Sequence, residues 1–207
     1  MKQKEKVEYI ITELNKLYPN PIAPLVYQDV FTLLISVLLS AQTTDKKVNE
    51  VTPALYKVAP NAFKMAELPE WEIKEYIKEI GLSNTKSKNI HKLSTILVEK
   101  YNGEVPESFE ELEALPGVGH KTASVVMSQG FGHPAFPVDT HIHRLMKLWK
   151  LTNGKNVEQT EKDAKRLFPK ELWNILHIQI IFYGREYSPA RGWNLEKDFI
   201  TKYLLEN

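Results

Sequence analysis

The stretch PGVGHKTASVVMSQGFG, residues 116–132, sets three helix breakers side by side and follows them at once with apolar residues at helical spacing. Pro116, Gly117 and Gly119 make a tight turn without a bulky side chain, since proline presets φ and glycine accepts backbone that other residues avoid. Just upstream, Ser108 and Glu111 fit the S-x-x-E capping box, which predicts a short helix over Phe109–Leu115. The segment therefore reads as two helices joined by a glycine hairpin.

Outward from the hairpin the same periodicity dominates and strand-like alternation is scarce, so the chain is expected to be all-α. Residues 3–18 place Val7, Ile10, Ile11, Leu14 and Leu17 on one face and end at Pro19, Pro21 and Pro24. Asp29 can cap VFTLLISVLLSAQ, which is apolar nearly all round and so predicts a helix central to a core. Thr44 or Asp45 starts a helix toward Val58, and Asn61–Leu68 gives a short one. Glu70–Ile80 follows and stops at Gly81, read as a left-handed C-cap. Lys86–Tyr101 is the next helix, closed by Asn102 and Gly103. Beyond the hairpin, Asp139 and Thr140 open HIHRLMKLW, and helices are expected from Val157 or Glu158 to Leu167, over Leu172–Tyr183 and over Leu195–Leu204, with a turn at Ser188–Trp193. Neither an internal repeat nor a flexible linker is visible.

At 207 residues the chain can form one domain or two small lobes. Its 27 basic and 26 acidic residues nearly cancel, so a polyanionic partner must meet a local patch. The absence of cysteine excludes disulfides, thiolate zinc sites, cysteine-ligated iron–sulfur clusters and cysteine nucleophiles. The N-terminal segment is too charged for a secretory leader, and Leu33–Leu39 is too short to span a bilayer. The expectation is a cytoplasmic protein without a membrane partner.

A glycine hairpin is either a plain helix reversal or a bare backbone surface for an anion. Lys121 falls in the first turn of the second helix, where positive charge opposes the helix dipole. It is either a surface lysine or an amine whose pKa is lowered by the helix end and partial burial, as nucleophilic attack on carbon requires. Asp139, after the apolar FPV, is an N-cap, a carboxylate facing a cleft, or both. Arg144, Lys147, Lys150 and Lys155 form one basic run and Lys86, Lys88 and Lys92 another, whereas acids concentrate over Glu104–Glu113. That asymmetry favours a DNA backbone. His120, His133, His141 and His143 lack the H-x-x-x-H spacing, and no metal site is expected from them.

Several motifs, in order along nearly the whole chain, resemble endonuclease III-type DNA glycosylases of the helix-hairpin-helix superfamily: LLSAQTTD at 38–45, GLSNTKSKNI at 81–90, NGEVPESFEELEALPGVGHKTASVV at 102–126, PVDTHIHRL at 137–145, NGKNVEQTE at 153–161 and YGRE at 183–186. The resemblance implies a two-lobed all-α fold with a cleft between the lobes, one lobe covering 22–133 and the other formed by 1–21 with 134–207. It implies a base-excision-repair enzyme, both glycosylase and abasic-site lyase, that flips a damaged nucleotide out of double-stranded DNA; with both proposed catalytic residues, Lys121 and Asp139, in one chain, a monomer is expected. Lys121 would attack C1′ of the deoxyribose and Asp139 would stabilise the cationic sugar. Gln42 would fill the gap left by flipping and Leu82 would sit on a second intruding loop. Backbone at Gly117, Val118, Gly119 and His120 would hold phosphate, helped by Na+ or K+ at main-chain carbonyls near Gly117 and Gly119. Lys88, His141, Arg144, Arg185 and Arg191 complete the expected DNA contacts.

One departure from the family is large. Its members commonly hold a [4Fe–4S] cluster on four cysteines that begin a few residues after a Gly-Arg pair. Here Gly184 and Arg185 are followed by EYSPARGWNLEKDF, with Ser188 near the first ligand position, so no cluster and no other cofactor is expected. Arg185, Arg191 and Trp193 either replace the cluster loop's contacts or pack the shortened tail. Oxidised pyrimidines are the expected substrates. The alternatives are a relative acting on uracil, mismatched bases or oxidised purines, an enzyme that is mainly a lyase, and a non-catalytic DNA-binding module.

Overall fold

The computed structural model describes residues 1–207 and is helical throughout, with no strand. In chain order the helices are α1 Gln3–Leu17, α2 Val30–Ser40, α3 Asp45–Val58, α4 Ala62–Glu67, α5 Glu70–Ile77, α6 Ser83–Tyr101, α7 Phe109–Glu113, α8 His120–Val125, α9 Thr140–Leu148, α10 Val157–Leu167, α11 Trp173–Glu186 and α12 Phe199–Glu206. A π-helical turn, Val126–Gly130, prolongs α8, and a 3-10 turn, Lys170–Leu172, precedes α11. None is long and apolar enough to cross a membrane. The chain divides into two compact units, Pro24–Gly132 and a second built from Met1–Ala23 with His133–Asn207.

The Pro24–Gly132 unit is organised around α2. Asp29 Oδ1 accepts from Thr32 N at 2.8 Å and Thr32 Oγ1 accepts from Asp29 N at 3.0 Å, so both partners of the box satisfy orphan amides. The whole run Phe31–Leu39 is buried, and each such aliphatic side chain stabilises by about 1.5–3 kcal/mol. Two polar groups in this helix are satisfied internally, because Tyr56 OH pairs with Ser36 Oγ at 2.6 Å and donates to Thr32 O at 3.0 Å. Helices α4 and α5 pack on α6. At the π turn, Gly130 lets the backbone approach α2, where a Cβ would lie 3.1 Å from Val30 Cγ1 and 3.2 Å from Leu33 Cδ2.

The second unit joins the chain termini. Val7, Ile10 and Leu14 of α1 share a core with Ile142, Leu145 and Met146 of α9, Leu176 and Ile180 of α11 and Ile200 and Leu204 of α12. Tyr9 stacks on Tyr203 with ring centroids 4.0 Å apart, and Trp149 Nε1 donates to Thr201 Oγ1 at 2.9 Å.

Four boundaries differ from expectation by three residues or more. α5 ends at Ile77, three residues early, and the left-handed residue after it is Leu82, with φ +60°, rather than Gly81. α6 consequently starts at Ser83 instead of Lys86. α11 runs three residues past Tyr183, since Gly184 can lie against α9 inside a helix. α12 starts at Phe199, because Asp198 and not a residue near Leu195 supplies the cap, accepting from Thr201 N.

Candidate functional site

In the hairpin between α7 and α8, Val118 N donates to Leu115 O at 3.2 Å and closes the turn. The two glycines do different jobs. Gly117 has φ +76°, and a Cβ there would meet Asn89 Nδ2 at 2.8 Å, so this glycine is demanded by the chain itself. Gly119 has φ −93° and open space around its Cβ position. Nothing within the protein requires it, which leaves bare backbone facing outward. Gly119 is also the N-cap of α8 and provides no side-chain cap for the first amides.

Lys121 is the second residue of α8 and is exposed. The partial burial entertained for it from sequence is therefore not present. Its hairpin neighbours are more committed. Val118 is buried in the core of its unit, so only its backbone remains for a ligand. His120 pairs through Nδ1 with Glu113 Oε1 at 2.6 Å and stacks on Phe109, which fastens α8 to α7.

Gln42 and Leu82 occupy two exposed turns of the same unit, and both take left-handed backbone, with φ +57° and +60°. For non-glycine residues that conformation costs about 1–2 kcal/mol, a strain the surrounding structure must hold in place. Lys88 projects to the surface of α6. Lys86 does not: it is 4% exposed and donates from Nζ to Leu39 O at 3.0 Å, Ala41 O at 2.6 Å and Thr43 Oγ1 at 3.2 Å. Burial pushes its ammonium below the ordinary lysine pKa. The basic run read at 86–92 is thus two exposed lysines, Lys88 and Lys92, and one turned inward. Lys86 shares the apolar stripe of Ile90, Leu93 and Leu97, a position from which a long side chain can reach either water or the core.

In the other unit, Asp139 Oδ1 accepts from Ile142 N at 2.8 Å and caps α9, while Oδ2 takes no part in the cap. His141, half-buried on the same helix, lies where α9 meets α11, since a Cβ on Gly184 would come within 3.0 Å of His141 Cβ. Arg144 is half-buried and donates to Ser188 Oγ at 3.0 Å and, through Nη2, to Ser188 O. Burial lowers its pKa, opposed by Asp198 and Asp139. Arg144 therefore packs the tail rather than facing outward, whereas Arg185 and Arg191 are exposed.

The tail after α11 is held by a node that the sequence reading did not identify. Asp198, fully buried, accepts from Tyr183 OH at 2.7 Å, Trp193 Nε1 at 2.8 Å and Thr201 N at 3.2 Å. Trp193 thus closes the tail upon itself, and Ser188 is fully buried beneath Arg144. With no cysteine in the chain, these residues do not fit an iron–sulfur cluster. No group of three or more His, Asp or Glu side chains is placed to hold a metal ion.

Residues 35–170 match the HhH-GPD superfamily of base excision DNA repair proteins. The chain is 47% identical over 182 residues to endonuclease III of Escherichia coli (strain K12), covering 88% of this chain and 86% of that one. It is 40% identical over 189 residues to endonuclease III of Bacillus subtilis (strain 168), covering 91% and 86%. Among solved structures, a trapped endonuclease III–DNA covalent intermediate superposes with a TM-score of 0.90 at 41% identity, over 95% of this chain and 92% of that one. A non-covalent endonuclease III–DNA complex gives 0.92 at 38% identity over the full length of both.

Proposed function

Because the chain belongs to the HhH-GPD superfamily of base excision DNA repair proteins, we propose that Lys121 is its nucleophile, Asp139 its catalytic carboxylate and oxidised pyrimidines in double-stranded DNA its substrates. The activity is that of a bifunctional DNA glycosylase and abasic-site lyase, as in its endonuclease III relatives. The observation that carries the residue assignment is an exposed lysine in the first turn of α8, directly behind the bare backbone of Gly119. A relative 41% identical to this chain has been captured joined covalently to DNA, which a lysine nucleophile explains.

In this reading the Lys121 amine attacks C1′ of a flipped nucleotide, the glycosidic bond breaks and its electron pair leaves with the base. Asp139 stabilises the positive charge that develops on the sugar and assists the proton transfers. Ring opening leaves an imine between C1′ and Lys121. The imine makes the C2′ proton acidic, its removal expels the 3′ phosphate by β-elimination, and water then releases the enzyme. Gln42 and Leu82 enter the duplex from their exposed turns, and the hairpin backbone from Gly117 to His120 takes a phosphate. Main-chain oxygens of this turn suit Na+ or K+, hard cations that would offset phosphate charge there. Lys88, Arg185 and Arg191, all exposed, would meet backbone phosphates.

The test is borohydride trapping on end-labelled duplexes carrying an abasic site, thymine glycol, uracil or 8-oxoguanine, with Lys121→Ala alongside. A covalent adduct on thymine glycol DNA that is missing in the variant is the expected result. Adduct on abasic DNA alone rejects the oxidised-pyrimidine assignment. A folded wild type that binds DNA yet forms no adduct with any duplex removes Lys121 from the mechanism.

A further inference from the structure

Lys86 is the only buried charged side chain of the Pro24–Gly132 unit, and it faces neutral oxygens, not a carboxylate. An ammonium carries three donors, and here Leu39 O, Ala41 O and Thr43 Oγ1 take all three. The two carbonyls belong to the C-terminal end of α2, where a cation also suits the helix dipole. All three acceptors bracket Gln42, whose left-handed backbone lies between Ala41 and Thr43. The backbone of Lys86 acts on the other turn, because its N–H donates to Leu82 O at 2.9 Å and forms the first hydrogen bond of α6. The two turns also lie alongside one another, a Cβ on Gly81 coming 3.8 Å from Gln42 O and 4.0 Å from Thr43 Oγ1.

Burying a lysine costs free energy unless its charge is met, and an apolar side chain on this stripe of α6 would avoid that cost. What the ammonium adds is a three-point fastening of one strained turn, delivered from a residue whose backbone fastens the other. We infer that Lys86 is a positioning residue for duplex engagement: it sets the Gln42 turn against the Leu82 turn so that both side chains are presented together to a DNA duplex. The inference rests on the glycosylase–lyase reading. It adds that Lys86 acts by geometry, touching neither the sugar nor the base.

The experiment compares one abasic sugar in two settings, a duplex and a single strand, because two intruding side chains matter only where there is a stack to open. Lys86→Met is expected to lower kcat/KM on the duplex by about 10²-fold, as for a misplacement near 1 Å, while single-strand trapping stays within about twofold. Thr43→Val removes one of the three acceptors without touching the charge and is expected to lose about fivefold on the duplex alone. Equal losses on both substrates, or duplex activity of Lys86→Met within about twofold of wild type, overturn the proposal. If Lys86→Met does not fold, Thr43→Val decides: a duplex-selective loss supports the positioning role, and its absence overturns it. A wild type inactive on both substrates instead overturns the glycosylase–lyase reading, and the inference falls with it.

Discussion

Asp139 holds the backbone N–H of Ile142 at 2.8 Å through Oδ1 alone. The residue assigned to catalysis is therefore also the N-cap of α9, and substitution must separate the two duties. Asparagine caps as well as aspartate, whereas alanine loses about 1 kcal/mol. Asp139→Asn should melt within about 1 °C of wild type, while Asp139→Ala should melt about 2–4 °C lower. Both should lose at least about 10²-fold in single-turnover base release. Full activity in a stable Asp139→Asn protein would reduce Asp139 to a cap.

The hairpin glycines give a second contrast. Gly117→Ala forces a Cβ onto Asn89 at positive φ and should destabilise by more than about 1 kcal/mol. Gly119→Ala meets open space, so its melting temperature should move little. Its loss should show in DNA affinity, because a methyl group then stands between the backbone and a phosphate. Unchanged binding by Gly119→Ala, measured by fluorescence anisotropy, would remove the hairpin from the DNA surface.

Two arginines of the second unit should behave oppositely. Arg144→Met breaks both bonds to Ser188 and should lower the melting temperature by about 5 °C. Arg191→Ala, on an exposed turn, should leave stability unchanged and reduce the salt slope of DNA binding by about one. A salt slope that falls for Arg144→Met and not for Arg191→Ala would reverse these assignments.

Alkaline pH should unfold the protein through its tyrosines. The pKa values of Tyr18, Tyr56 and Tyr183 are raised from the ordinary 10.0, first by burial, and for Tyr183 next by the hydrogen bond to Asp198. A raised folded-state value means that stability is fully present below the unfolded value and is lost as pH rises through the folded one. Lys86, with a lowered value, contributes in the opposite sense up to the ordinary lysine value of 10.5. Tyr9 and Tyr187 are raised in the same sense, first by burial, so the tyrosines outweigh this one lysine, melting temperature should fall above about pH 10, and Tyr183→Phe should make the fall shallower. A flat profile through that range would contradict the burial assigned to these hydroxyls.

Much of the helical framework could be read locally. Asp29, Thr44, Asn61, Ser108 and Asp139 all cap the helices that follow them, because a cap bonds amides only two or three residues away. Asp139 and the glycine hairpin likewise stood out by residue type and spacing. Lys86, Arg144 and Asp198 did not. A lysine on an apolar stripe can face water or the core, and only the carbonyls of α2, 45 and 47 residues earlier, turn Lys86 inward. Arg144 finds Ser188 across 44 residues in the same way.

The sequence by itself determined an all-helical chain, several of its capped helix starts, the glycine reversal that sets Lys121 at a helix entrance, and the impossibility of a cysteine-held cluster. Each follows from bonds between near neighbours or from the absence of a ligand atom. The tertiary structure decided which charges are surface and which are struts, where the left-handed residues fall, and what organises the tail in place of thiolates. Those outcomes depend on distant backbone oxygens and buried carboxylates meeting a particular donor, and no periodicity along the chain encodes such partners.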